Sequence, residues 1–213
     1  MNRYPWLVNI PSSWPWMVKF FEEYSPRLSR KVVRWSWPAV GVFKCNTDGF
    51  SKDQLSISSK AFCVRNCHGD LIYAQTDCTA FCTALEVKVK AFRSGLLYCV
   101  QNNYLPFVME TDSLIIKKVL DRIWKIPWAI AVDTRCIMEE LKDKEVVVTH
   151  IVKEGNKLAD FLTNYVFSFA GTNNSQFTSV EDLPGQAQAI LHGDKQGTPN
   201  LRIKKCQNVN FNI

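Results

Sequence analysis

The sequence predicts an α/β fold of the mixed (α+β) kind: a five-stranded mixed sheet with helices packed on its faces. Three observations carry that expectation. Short runs of strand-forming residues are bounded by turn residues. Leu85, Val89, Phe92, Leu96 and Val100 recur at spacings of three and four, the mark of an amphipathic helix. The two kinds of segment follow one another in the order β-β-β-α-β-α-α-β-α.

Each element has a local reason. Val42 to Gly49 reads as a strand closed by a turn glycine, and Lys60–Val64 and Leu71–Gln75 follow as two more. Their connector, Asn66-Cys67-His68-Gly69-Asp70, has turn composition, so the three form an antiparallel meander. The amphipathic helix comes next, then a fourth strand at Pro106–Glu110, after which Asp112-Ser113 caps a helix. A helix over Trp128–Leu141, a fifth strand at Glu145–His150 and a last helix from Asn156 to about Phe169 complete the order. From Gly171 the pattern dissolves.

Domain boundaries follow from composition. Residues 1–37 hold five of the seven tryptophans and several prolines, so they read as a basic, Trp/Pro-rich arm with one short helix near Trp16–Tyr24. Residues 38–170 form the folded domain, and 171–213 a linker and basic tail ending in Arg202, Lys204 and Lys205. A composition 46% hydrophobic and 22% charged excludes a wholly disordered chain. No apolar run approaches the ~18 residues of a spanning helix. The apolar start is cut by Pro5, Pro11 and Pro15, unlike a signal peptide, so the reading is an unsecreted, intracellular monomer, nuclear or cytoplasmic, with no membrane contact. The net charge of +6 suits a polyanionic partner such as nucleic acid.

The eight cysteines read as reduced thiols. Cys63, Cys67, His68, Cys78 and Cys82 have spacings a zinc site could use. Cys63 falls in a strand, however, where a small buried thiol is the commoner role, and that reading is preferred.

Three aspartates sit where such a sheet would gather them: Asp48 at the end of the first strand, Asp112 after the fourth, Asp160 one turn into the last helix. Alone, each is a common turn or cap residue. Clustered, they would repel unless a cation compensated them, and carboxylate oxygens are what magnesium prefers. The surrounding words are Lys44-Cys45-Asn46-Thr47-Asp48-Gly49, Glu110-Thr111-Asp112-Ser113 and His150-Ile151-Val152-Lys153-Glu154-Gly155-Asn156-Lys157-Leu158-Ala159-Asp160. In that order they resemble the type 1 ribonuclease H domain in its plant, retrotransposon-derived form, over about residues 33–168. The resemblance implies a ribonuclease H-like sheet and magnesium-dependent, two-metal cutting of the RNA strand of an RNA–DNA hybrid. It implies that Asp48, Asp112 and Asp160 are the catalytic metal ligands, with His150 as an auxiliary residue.

The family's fourth carboxylate is missing. Ala91-Phe92-Arg93-Ser94-Gly95-Leu96 fixes the register of the first long helix, and the family's Ala-Glu pair then falls on Val87-Lys88. Glu86 lies about 200° round the helix from Lys88 and could substitute only through a register slip. A ligand charge of −1 becomes +1, and a unit pair at 4 Å is worth roughly 4 kcal/mol at an effective dielectric of 20. Lys88 is therefore expected between Asp48 and Asp112, in the magnesium position, where it would lower the carboxylate pKa values. Phe50, where the family prefers a small residue, and Ser56-Ile57-Ser58-Ser59-Lys60, in place of its glycines, also depart from the pattern. Three readings result: a ribonuclease H impaired by Lys88, a catalytically inactive module that binds RNA–DNA hybrid or other nucleic acid, and a protein-interaction domain.

Overall fold

The computed structural model describes residues 13–23, 28–52, 56–168 and 174–205. Contacts divide the chain into two units, Arg34–Pro199 and a smaller one joining Met1–Val33 to Asn200–Ile213. The smaller unit starts with helix α1 (Trp14–Glu23) and strand β1 (Leu28–Val33). Tyr24 and Phe169, at the ends of two expected helices, lie outside the described residues.

In the larger unit β2 (Phe43–Lys52), β3 (Ile57–Arg65) and β4 (Leu71–Ala80) form the antiparallel meander, followed by helix α2 (Ala84–Gln101) and strand β5 (Phe107–Thr111). Then come α3 (Leu114–Leu120), α4 (Ala131–Glu140), β6 (Val146–His150) and α5 (Lys157–Tyr165). The turn from β3 to β4 is held by Asn66 Oδ1, which accepts from the backbone N–H of His68 and of Asp70, both at 2.9 Å, and by Gly69 at φ +74°. Of the residues that offered zinc spacing, Cys67 and His68 lie in this turn, Cys63 in β3, Cys78 in β4 and Cys82 between β4 and α2.

The sheet has six strands rather than five, in the order β6-β5-β2-β3-β4-β7. The added strand, β7 (Asn174–Phe177), pairs antiparallel with β4. It is four residues long and only Phe177 is buried, so it carries no alternation long enough to detect; backbone pairing at a sheet edge makes it a strand. Residues after Gly171 also form α6 (Gly185–Lys195), which buries Ala187 and Leu191 one turn apart. The last strand, β8 (Asn200–Lys205), belongs to the smaller unit and pairs antiparallel with β1. The flanks thus contain more regular structure than an irregular arm and a linker.

Helix α2 covers one face of the sheet, burying Val89, Phe92 and Leu96 against Cys45, Phe62 and Val64. On the other face α5 and α6 bury Leu158, Leu162, Ala187 and Leu191 against Ala61, Cys63 and Ala74. A capping box fixes the start of α2: Thr83 N–H donates to Glu86 Oε2 at 2.8 Å, and Glu86 N–H donates to Thr83 Oγ1 at 3.3 Å.

Two glycines let α2 lie directly on β2. A Cβ on Gly95 would come within 2.8 Å of Cys45 Sγ, and one on Gly49 within 2.7 Å of the Val87–Lys88 backbone. The second clash is with main chain, which cannot rotate away. Gly49→Ala is therefore expected to destabilise the fold by about 1–3 kcal/mol, the usual cost of overpacking. Urea unfolding checks this, and an unchanged midpoint would mean that α2 does not approach β2 this closely.

Candidate active site

Strand alternation puts Lys44, Asn46 and Asp48 on the side of β2 opposite Cys45, Thr47 and Gly49. All three are buried, so each requires a partner. Lys44 Nζ donates to Glu110 Oε1 at 2.8 Å and to the Ser36 carbonyl at 2.7 Å. Asn46 Nδ2 donates to Glu110 Oε2 at 2.8 Å and to Asn156 Oδ1 at 3.1 Å. Its Oδ1 accepts from Arg65 Nη2 at 2.7 Å and Trp35 Nε1 at 3.0 Å. Arg65 also stacks 3.6 Å from the Trp35 ring and pairs with Asp194 at 2.7 Å.

The row ends at the site. Asp48, near the point where β2 passes β5, is met by Lys88 from the second turn of α2; Gly49 makes that approach possible. Lys88 Nζ donates to Asp48 Oδ1 at 2.7 Å and to Asp112 Oδ1 at 2.5 Å, bridging the two carboxylates. Asp112 directly follows β5, and His150, the last residue of β6, places Nε2 3.2 Å from the Asp112 carbonyl oxygen. Asp160, in the first turn of α5, pairs with Lys153 at 2.9 Å. That pair is close enough for Lys153 to feel the charges of Asp48 and Lys88; the hydrogen bond to Asp160 is the main reason the Lys153 pKa is raised. Glu86 is occupied in the capping box. Phe50 meets Phe167 edge to face, with ring centroids 5.6 Å apart.

The electrostatics differ from expectation in one respect. Burial, reinforced by the charge of Asp112, pushes the Asp48 carboxyl up to about 6, against the opposing pull of Lys88 and the Gly49 N–H. The pull of the lysine does not bring it below the ordinary carboxylate value, because desolvation of a carboxylate at the floor of the site, with the Asp112 charge beside it, outweighs one largely covered ammonium. For Lys88, burial works against the charged form, but Asp48 and Asp112 together hold its pKa above the ordinary lysine value. Two carboxyl groups share one ammonium.

A magnesium ion would need several oxygen ligands at about 2.0–2.1 Å in octahedral array. The Lys88 ammonium stands against the two oxygens that would begin that set, and Asp160 is engaged by Lys153. Among the described residues no group of three or more His, Cys, Asp or Glu is arranged to hold a metal ion. The site as built does not fit magnesium. Burial also pushes the Cys63 thiol up to about 11, so it stays protonated within the sheet.

Sequence reasoning missed the polar network behind the site: Trp35, Asn46, Arg65, Glu110, Asn156 and Asp194. Lys44, Asn46 and Asp48 at alternate positions of one strand were the available signal.

Residues 46–166, just over half of the chain, match the model of the reverse transcriptase-like family. The chain belongs to that family. An Arabidopsis thaliana protein named "Putative ribonuclease H protein" is 26% identical over 197 residues, covering 88% of this chain and 31% of its own length. The chain thus spans about a third of that curated relative. Among solved structures, RNase H1 of Halobacterium salinarum superposes with a TM-score of 0.54 at 18% identity, over 61% of this chain and 99% of its own. The N-terminal RNase H domain of a Mycobacterium tuberculosis protein gives 0.55 at 14%, over 60% and 94%. LC11-RNase H1, solved in complex with an RNA/DNA hybrid, gives 0.53 at 16%, over 58% and 94%. The six-stranded sheet and its flanking helices therefore have the ribonuclease H fold.

The balance at Asp48 can be tested. With Lys88→Met the opposing pull disappears, so the Asp48 carboxyl is expected to titrate above its value in the unmodified chain. Its folded value exceeds the unfolded ~3.9, so the stability that its protonation contributes is fully present below about pH 4 and is lost as pH rises from there through about 6. Carboxyl-carbon NMR titration of the unmodified chain and of Lys88→Met checks both statements, and a lower value in the variant would contradict them.

Proposed function

We propose that the Arg34–Pro199 unit is a ribonuclease H-type domain that binds nucleic acid, with RNA–DNA hybrid as the reference ligand, and in which Lys88 replaces the catalytic glutamate and disables hydrolysis. The observation that carries this reading is the bridge from Lys88 to Asp48 and Asp112, at 2.7 and 2.5 Å. Two-metal hydrolysis needs acidic oxygens free to hold cations that activate the attacking water and stabilise the leaving oxygen. Here a side-chain ammonium supplies the compensating charge, and it can neither carry a nucleophilic water as a metal does nor leave.

The binding half of the reading is supported by the net charge of +6, by membership of the family and by the hybrid-bound state of one fold neighbour. A cleft of about 360 Å³ is lined by Lys60, Lys90, Arg93 and Asp133 among others; Lys60 pairs with Asp77 and Arg93 with Asp133, so its positive charge is largely balanced and the binding reading does not rest on it. In this reading Asp48, Asp112 and Asp160 correspond by motif to the metal ligands that the resemblance implies, and His150 to the auxiliary residue. With Lys88 in place they act as ion-pair and hydrogen-bond partners.

A magnesium titration with a labelled RNA–DNA hybrid tests the reading. The unmodified chain should bind the hybrid, with an affinity that falls steeply with salt, and should leave it uncut at every magnesium concentration. Lys88→Glu should gain magnesium binding by calorimetry, with at most weak cleavage. Robust magnesium-dependent cleavage by the unmodified chain would overturn the proposal.

A further inference from the structure

Residues about 170 apart in sequence meet in the smaller unit. Strands β1 and β8 pair with Lys31 opposite Arg202, Ser29 opposite Lys204 and Arg30 opposite Ile203. Residues directly opposite in an antiparallel pair share a face. One face of this two-stranded ribbon therefore gathers Lys31, Arg202 and Lys204, and the other carries Arg30 among Leu28, Val32, Leu201 and Ile203. Neither strand contains an aspartate or glutamate.

A two-stranded ribbon is marginal on its own, and this one carries cations with no acidic residue in either strand. Arg30, Lys31 and Lys204 are exposed, and none has an ion-pair partner among the described residues. An anion lying along the ribbon would compensate these three cations. The anion must be extended, because the cations lie on both strands and both faces. A nucleic-acid backbone has that form, and a two-stranded ribbon is narrow enough to enter the major groove of a duplex.

We infer that the β1–β8 ribbon is a phosphate-backbone contact surface for duplex nucleic acid. This rests on the nucleic-acid-binding reading above and assigns part of that binding to a place remote in sequence from the aspartates. Phosphate contacts of this kind add affinity and salt dependence without sequence preference.

The test measures binding of a labelled RNA–DNA hybrid by the full chain over a series of sodium chloride concentrations. Lys31→Ala with Lys204→Ala should weaken binding by about tenfold or more at low salt and reduce the salt slope by about 2. Lys31→Arg with Lys204→Arg keeps the charge and should bind like the unmodified chain. Lys142→Ala with Lys144→Ala removes the same charge from the region after α4 and should stay within about twofold. Circular dichroism on each variant shows that it is folded, and the arginine pair keeps the test decisive should the alanine pair unfold. Unchanged affinity and slope in the alanine pair would overturn the ribbon while leaving the broader reading intact. The same holds for an equal loss in the Lys142/Lys144 control, or for loss of binding in the arginine pair. A ribbon that instead docks a protein through Leu28, Val32, Leu201 and Ile203 would give that unchanged affinity. Failure of the unmodified chain to bind hybrid at low salt would overturn both.

Discussion

A central strand that carries lysine, asparagine and aspartate on one face must find partners for all three before it can be buried. In β2 that requirement organises the larger unit. Lys44 takes Glu110 from the neighbouring parallel strand and a carbonyl from the lead-in; Asn46 takes Glu110, Arg65, Trp35 and Asn156. Asn156 stands at the start of α5 and also donates to the Thr47 carbonyl at 3.0 Å. Asp194, on α6, completes the shell through Arg65, although burial holds its own pKa above the usual carboxylate range. Breaking such a network on one side leaves a buried charge without compensation, typically costing 3–5 kcal/mol, so each partner is constrained by the others. The lead-in at Trp35, the strands β2, β3 and β5, and the helices α5 and α6 are tied together through one row of side chains.

Asp48 is where that row reaches the candidate site, and the same rule applies there. Two carboxylates converge, so a positive charge has to come from somewhere. Lys88 supplies it from within the chain, on a helix held close by Gly49 and Gly95. The ammonium forms with the fold itself, so the cluster is compensated without any diffusing cation. The compensation is partial: Asp48 still titrates near 6, because one lysine shared between two acids does not offset the desolvation of the deeper one.

Much of this was legible in the residues. The alternating strands, the period of α2 and the three acidic words gave the sheet, its principal helix and the neighbourhood of the site, because long periodic segments and short charged motifs leave local signals. The register argument from Gly95-Leu96 placed Lys88 on the site side of α2, and Thr83-Ala84-Leu85-Glu86 was a readable capping box that explains where Glu86 goes. What stayed hidden depended on partners distant in sequence. The strand at Asn174–Phe177 exists because β4 offers it an edge, and β1 and β8 exist because each offers the other one; neither has a buried face long enough to leave a period. The sign of the Asp48 shift was hidden for a related reason. Sequence reveals which charges meet but not how much water is excluded when they do.

The same separation bears on function. Fold and chemistry draw on different properties of the acidic cluster: the fold needs its charge compensated, while hydrolysis needs that compensation to come from ions that also hold a water and a phosphate. A lysine satisfies the first need and, under the proposed reading, blocks the second. The packing of α2 on β2 rests on apolar contacts and on Gly49 and Gly95, so it would be kept whether or not the chemistry were. Affinity for a polyanion is separable again, because it depends on the number and spacing of exposed cations rather than on the acids. On this chain Arg30, Lys31 and Lys204 of the ribbon, exposed and without an ion-pair partner among the described residues, lie in strands far removed in sequence from Asp48, so under the proposed reading binding would not depend on the acidic cluster.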